Sequence, residues 1–210
     1  ALMKCVEYGA DLKHLDGVYI THLHGDHIGG IAMLLVYLQF RMERTRPLVI
    51  AGPEGIQKRL ALLGESAYPS VMQGDLDFPI EFVHWDIPGT KEVLGRQVTA
   101  IRAVHDQLAV ASSLRIDTND SSISFSGDTG WQEDLAELVD GSDLFICECS
   151  MVEADYWGHI SLEELLEIQR STSTMEVCEV KGEPGELEGT WRLRLPTHVA
   201  ADGLAAAAVR

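Results

Sequence analysis

The stretch THLHGDHIGG places four side chains that can bind metal ions within six consecutive positions: His22, His24, Asp26 and His27. In extended backbone His22 and His24 point to the same side, so their two imidazoles can hold one cation. Gly25 lets the chain turn, and Asp26 and His27 can then face a second cation. This spacing favours a metal site over a histidine-rich surface loop. Imidazole with carboxylate suits zinc, and manganese or iron where oxygen ligands dominate.

Three later positions could add to this chemistry. His105 ends the predicted strand RQVTAIRAVH, and Asp128 follows the strand SISFS within SGDTG. Loop residues that follow strands are held by a rigid sheet, which suits ligands. His159 lies in GHIS, just ahead of a predicted helix. Imidazole can donate a proton near neutral pH, so we expect a catalytic role for His159, although a capping or packing role is the alternative.

Alternating strands and helices must position these residues, which predicts an α/β fold. Glycine, proline and turn residues mark the ends of the elements. Ser161 and Glu164 have the spacing of a capping box at the last helix. The predicted strands are 17–21, 47–52, 80–87, 96–105, 109–117, 121–128 and 144–148, and the predicted helices are 31–40, 53–64, 131–141 and 160–170.

The chain of 210 residues, 46% of them hydrophobic, is long enough for one domain with a substantial core. We therefore predict that residues 1–210 form a single domain, which contains the metal site. Within it, 171–195 is expected to be irregular and 200–210 to be a tail. No apolar run is long enough to span a bilayer, and the first residues lack the layout of a signal peptide.

The net charge of −17 argues against long nucleic acids and anionic membranes as partners, since both require a cationic surface. Residues 131–190 carry 16 of the 33 acidic residues but only 2 of the 16 basic ones. We expect a small-molecule substrate, and the sequence is compatible with a homodimer. The spacing of the four cysteines does not predict a disulfide framework, so a cytoplasmic location with reduced thiols is expected.

The motifs THLHGDHIGG, VH at 104–105, SGDTG and GHIS resemble those of the metallo-β-lactamase superfamily, and most closely its RNase Z and phosphodiesterase-like branch. The resemblance covers about residues 1–170. It implies a four-layer αβ/βα sandwich and two divalent metal ions, with a bridging hydroxide as the nucleophile. It also implies roles for particular residues. The first ion would be held by His22, His24 and His105, the second by Asp26 and His27, and Asp128 would bridge both. Asp26 and His159 are the predicted catalytic residues.

The sequence departs from the family's pattern at two places. The family begins with strands that precede the first residue of this chain, so we expect a sandwich that lacks its N-terminal strands. The family's last metal ligand is a histidine downstream of GHIS, at a position that here corresponds to Lys181. A protonated lysine cannot ligate a cation. We therefore expect a second metal site short of one ligand, with recruitment of His198 as the alternative.

Three functions are compatible with these residues. The leading interpretation is a metal-dependent hydrolase that acts on a small phosphodiester. The second is hydrolysis of a lactone, thioester or β-lactam by the same nucleophile, with the metal stabilising the oxyanion. The third is a degenerate family member that binds a metal or ligand without turnover, which the substitution at Lys181 would favour.

Overall fold

The computed structural model describes residues 2–69 and 76–172. The predictions for Lys181 and His198, and those for 173–195 and 200–210, lie outside the described residues. The chain divides into two compact units, the first ending at Trp85 and the second beginning at Asp86. Within the described residues, each unit contains one β-sheet. In the described part of the chain, no helix is both long enough and apolar enough to cross a membrane.

The sheet of the first unit has three parallel strands in the order β1-β2-β3. The strands are β1 (Gly17–Tyr19), β2 (Leu48–Gly52) and β3 (Ile80–His84). Every residue of β2 is buried. Its sequence, LVIAG, is the continuous apolar run expected of a central parallel strand, which is covered on both faces.

The first unit also contains α1 (Leu2–Glu7), α2 (Gly25–Phe40) and α3 (Ile56–Ala67), with a short 3-10 turn at Leu12–His14. The helix predicted at 31–40 begins earlier, at Gly25. His24 is its N-cap, and Asp26 lies in the first turn, where a carboxylate interacts favourably with the helix dipole. The helix predicted at 53–64 is shifted to Ile56–Ala67, because Gly55 has a left-handed backbone with φ of 94°.

Arg44 fixes the segments that lead into β1 and β2. It is only 3% exposed, and burial lowers the pKa of its guanidinium from the ordinary value. The group satisfies its donors by hydrogen bonds of 2.6–3.2 Å to backbone carbonyls of Lys13, Leu15, Arg46 and Pro47. The start of β1, and hence of the histidine stretch that follows it, is therefore tied to the start of β2.

The sheet of the second unit has five strands in sequence order, antiparallel except for the parallel pair β7 and β8. Because two antiparallel pairings separate β5 from β7, the strands β5, β7 and β8 run in the same direction. Their carboxyl ends therefore meet at one edge. The strands are β4 (Gly89–Val93), β5 (Arg96–Arg102), β6 (Ser112–Asp117), β7 (Ser122–Phe125) and β8 (Leu144–Ile146).

The sequence did not predict β4, whose residues GTKEV are mostly polar and partly exposed. It pairs with β5 through a tight turn at Leu94 and Gly95, both with positive φ, as a two-residue hairpin with a type I′ turn requires. The predicted strands 80–87 and 96–105 end earlier, at His84 and Arg102. The residues that follow Arg102 therefore lie in a loop.

Among the described residues of the second unit, two α-helices pack together, α4 (Glu133–Val139) and α5 (Leu162–Ser171), and a short 3-10 helix spans Gln107–Ala109. The predicted capping box at α5 is present, since Ser161 Oγ accepts from Glu164 N and the Glu164 carboxylate accepts from Ser161 N. The helices share a buried cluster of Leu135, Leu138, Val139, Ile160, Leu165 and Ile168. Ile160 belongs to this cluster and follows His159 directly, so the core anchors the chain next to that histidine.

Candidate metal centre

In the first unit, three imidazoles cluster beyond the carboxyl end of β1. Ile20 N donates to Ala51 O at 2.8 Å, which keeps the chain alongside β2 as it leaves the strand. His22 is fully buried. Its ring centroid lies 5.0 Å from that of His24 and 3.9 Å from that of His27. The His22 and His24 rings are therefore in close contact, and their ligation of one cation stays a prediction.

Asp26 and His27 lie on the first turn of α2 rather than in a turn that precedes the helix. Asp26 Oδ2 is 3.3 Å from His27 Nε2, and the Asp26 side chain is 76% exposed. The carboxylate thus faces the neighbouring imidazole. Its predicted roles as a metal ligand and catalytic residue remain predictions.

In the second unit, the common edge of β5, β7 and β8 carries His105, Asp128 and Glu148 on the loops that follow those strands. Backbone contacts join these loops. Gly130 N donates to Val104 O at 2.8 Å, and Val104 N donates to Thr129 Oγ1 at 3.0 Å. The loops that carry His105 and Asp128 are thus connected by two hydrogen bonds, which makes the edge a rigid support.

His105, Asp128 and His159 each offer one ligand atom, and these atoms lie within 4.8 Å of one another. Two imidazole nitrogens and one carboxylate oxygen form a donor set that suits zinc. His105 Nδ1 donates to Gly158 O at 2.8 Å. A carbonyl can only accept, so this bond places the proton on Nδ1 and the lone pair of the neutral ring on Nε2. An outer hydrogen bond of this kind commonly orients a metal-binding histidine.

His159 is held by Glu148. Its Nδ1 lies 2.7 Å from Glu148 Oε2, and the Glu148 side chain is only 3% exposed. The carboxylate also accepts from Thr129 N at 2.6 Å and from Ser150 Oγ at 2.7 Å. From the sequence alone, Glu148 has two possible roles, as a partner that orients a histidine or as a charge on an edge strand. The structure places it against His159, beyond the end of β8.

Thr129 and Ser126 were not identified from the sequence as part of this region. Thr129 is fully buried, and Ser126 Oγ accepts from Glu148 N at 2.9 Å. Both belong to the SGDTG motif, in which the sequence predicts only Asp128 as a ligand. The signal that could have found them is the motif itself, because small hydroxyl residues beside a loop ligand commonly bond to neighbouring backbone.

His14, His84 and the cysteines of the described residues are not assigned a part in this donor set. His14 is exposed and bonds to Asp11 at 2.6 Å, and this contact lowers the pKa of the Asp11 carboxyl. His84 lies on β3 and is partly buried. Cys147 and Cys149 follow β8, which ends at Ile146. These two cysteines and Cys5 are thiols and form no disulfide.

Comparison with known proteins identifies the family. A model of the beta-lactamase superfamily domain matches residues 2–178, and the chain therefore belongs to this family. The sequence-based assignment is confirmed, as is an α/β metallo-β-lactamase-like fold with two sheets. The predicted four-layer arrangement and the lack of N-terminal strands remain predictions.

Several curated relatives are similar in sequence. A ribonuclease Z of Agathobacter rectalis is 24% identical over 223 residues, covering 81% of this chain and 71% of the relative. A ribonuclease Z of Staphylococcus epidermidis is 33% identical over 78 residues, 37% of this chain. An uncharacterized protein of Mycobacterium leprae is 32% identical over 159 residues, 72% of this chain. The chain spans 24% of the Staphylococcus protein and 52% of the Mycobacterium protein.

Solved structures share the fold at low sequence identity. The short form of human tRNase Z is 19% identical with a TM-score of 0.65, covering 81% of this chain and 73% of that one. A diphosphatase of the PhnP family is 17% identical with a TM-score of 0.58, covering 80% of this chain and 60% of that one. At such identities, the likeness establishes the fold alone.

Proposed function

We propose that the chain is a metal-dependent hydrolase that acts on a small phosphodiester. The observation that carries this proposal is the grouping of His105, Asp128 and His159 at one sheet edge, with Glu148 buried behind His159. The His105 imidazole and the Asp128 carboxylate, which can both bind a divalent cation, thus lie beside His159. Glu148 orients the His159 ring. Similarity to ribonuclease Z sequences supports phosphorus rather than carbon as the centre attacked.

The protein's own groups have separate tasks in this proposal. His105 and Asp128 bind divalent metal, and the bond from His105 to Gly158 O keeps its Nε2 lone pair available for that purpose. When bound, the metal supplies Lewis-acid chemistry and a water nucleophile at neutral pH. Glu148 holds the His159 ring through its contact with Nδ1. His159 Nε2 then donates a proton to the leaving oxygen.

The number of ions and the wider ligand set are proposed from the family resemblance. On that basis two divalent ions, zinc in the first instance, are held in the arrangement set out for the sequence. His22 and His24 serve the first ion together with His105, Asp26 and His27 serve the second, and Asp128 bridges. In the first unit, close contact among the His22, His24 and His27 rings supports ligation by neighbouring imidazoles.

A small substrate fits the chain better than a long polyanion. The net charge of −17 repels nucleic acid. Between α3 and β3 the sequence has only a short segment with no lysine or arginine, from Tyr68 to Pro79. Such a segment offers no basic arm that could hold a large RNA. A cyclic nucleotide or a short oligonucleotide has the appropriate size.

The test compares bis(p-nitrophenyl) phosphate with nitrocefin and a lactone, using the purified chain supplied with Zn²⁺ or Mn²⁺. We expect hydrolysis of the phosphodiester that a chelator removes and that Asp128→Asn abolishes. The matched control is Asp120→Asn, because Asp120 is exposed in the turn between β6 and β7. Faster turnover of nitrocefin or the lactone, dependent on Asp128, would instead establish carbonyl hydrolysis.

A further inference from the structure

Two large aromatic side chains are exposed directly beside His159. Tyr156 is 50% exposed and Trp157 is 61% exposed. The Tyr156 ring stacks on the His159 ring with centroids 5.6 Å apart and planes 28° apart, and it contacts Trp157 with centroids 5.8 Å apart. A continuous row of three rings therefore leads from the candidate catalytic histidine to solvent.

The loop that carries these rings is braced although its tip is exposed. Its two ends are paired, since Ser150 N donates to Ile160 O at 3.0 Å and Leu162 N donates to Met151 O at 2.8 Å. Near the tip, the Trp157 carbonyl lies so close to Gly130 that a Cβ there would be 1.9 Å from the oxygen. These contacts therefore hold the backbone that carries the two aromatic rings in a fixed position.

From this arrangement we propose that Tyr156 and Trp157 form a stacking subsite for the nucleobase of the substrate. The inference rests on the proposed phosphodiester chemistry and names the part of the substrate next to the phosphate. In a nucleotide, only the sugar separates the phosphate from the base. A phosphate at His159 would therefore place its base near the next rings in the row. Base stacking on aromatic side chains is a common device in nucleotide recognition.

The size and charge of this surface favour a base over other occupants. The exposed parts of two aromatic side chains amount to roughly 200–300 Å², whereas a stable protein interface needs about 800 Å² from each partner. Glu153 and Asp155, both exposed, precede the aromatic pair. Their carboxylates repel a phosphate backbone but not an uncharged base, which argues against a nucleic acid strand lying along the loop.

The test measures binding without turnover. Isothermal titration calorimetry on the purified chain supplied with Zn²⁺ compares AMP with ribose 5-phosphate, which lacks the base. We expect AMP to bind more tightly. Trp157→Ala should weaken AMP roughly 5- to 150-fold, as expected for loss of one stacking contact, and should leave the affinity for ribose 5-phosphate unchanged. Trp157→Phe should retain most of the preference, and this variant also controls for folding.

Tyr8→Ala is the matched surface control, because Tyr8 follows α1 directly and its side chain is 78% exposed. It should leave AMP affinity unchanged. Equal affinity for the two ligands, or equal weakening of both by Trp157→Ala, would overturn the stacking subsite even if phosphodiesters are hydrolysed. A preference for AMP that depends on Trp157 would support the subsite even in a chain that fails to hydrolyse phosphodiesters.

Discussion

At the scale of single residues, the buried carboxylate of Glu148 fixes the orientation of the His159 ring. A buried carboxylate requires compensating donors, and Glu148 has three of them in Thr129 N, Ser150 Oγ and His159 Nδ1. Two of these come from the backbone and a hydroxyl, so the carboxylate stays fixed even when the imidazole changes its protonation. His159 is thereby held by Nδ1, which leaves Nε2 as the ring nitrogen for the proposed proton transfer.

We expect His159→Ala to lower kcat by about 10²- to 10⁴-fold, the usual contribution of a general acid. The loss should be smaller for a substrate with p-nitrophenolate as leaving group, which hardly needs a proton. Steady-state kinetics with a good and a poor leaving group, together with zinc content, provide the measurement. Because His159 also lies within the group of possible ligands, loss of zinc in this variant would indicate ligation rather than proton donation.

Glu148→Gln should lower kcat by roughly 10- to 100-fold, as is common when an outer partner of a metal-site or catalytic residue is lost. The neutral amide oxygen is a weaker acceptor for the His159 Nδ1 proton than the carboxylate, so the ring is oriented less firmly. In a His159→Ala background the same change should have little further effect, since the two residues act as one unit. Glu137→Gln, on an exposed face of α4, is the control. Fully additive losses in the double variant would disprove the coupling.

At the scale of elements, the sequence predicted the type of most segments but not their ends. The apolar run of β2 and the capping box of α5 are strong local signals, and both elements lie where expected. The start of α2 was wrong because the glycines at 29 and 30 suggested a break, whereas His24 caps the helix and the glycines lie inside it. Strand β4 was missed because a polar, partly exposed strand is stabilised by pairing with its neighbour rather than by an apolar pattern.

The candidate site could be predicted only in part, because contacts between segments that are distant in sequence leave no local pattern. His22, His24 and His27 are close in sequence, so their spacing alone indicates their contact. Glu148 and His159 meet because β8 ends at Ile146 and the chain returns after the braced loop. That return depends on tertiary pairing such as the bridge between Met151 and Ser161, which no local pattern in the sequence encodes.

Two glycines should respond in opposite ways to alanine. Gly30 lies within α2, and the space that an added methyl group would occupy is open, so Gly30→Ala should raise the free energy of unfolding by about 0.5–1 kcal/mol. Gly130→Ala should lower it by on the order of 1–3 kcal/mol, because the new Cβ would collide with the Trp157 carbonyl. Urea denaturation measures both. A Gly130→Ala chain as stable as the parent would contradict this close approach.

At the scale of the whole molecule, the acidic charge has an uneven distribution that bears on metal affinity. Most of the excess falls in residues 131–190, which include Glu148 and the loop that carries Tyr156 and Trp157. A negative potential attracts divalent cations and repels anionic substrates. Divalent cations bound as proposed would therefore offset this repulsion and let a phosphate group approach His159, in addition to activating water.

The family resemblance assigns His24 of the first unit and His105 of the second to the same ion, and zinc content can test this directly. If both residues hold one ion, His24→Ala and His105→Ala should each remove the same ion, because a site left with two imidazoles loses tight zinc binding. The double variant should then lose no more zinc than either single variant. Zinc per chain, measured by mass spectrometry after dialysis, distinguishes the alternatives. Additive losses in the double variant would mean that the two histidines serve separate ions, and the shared centre would have to be abandoned.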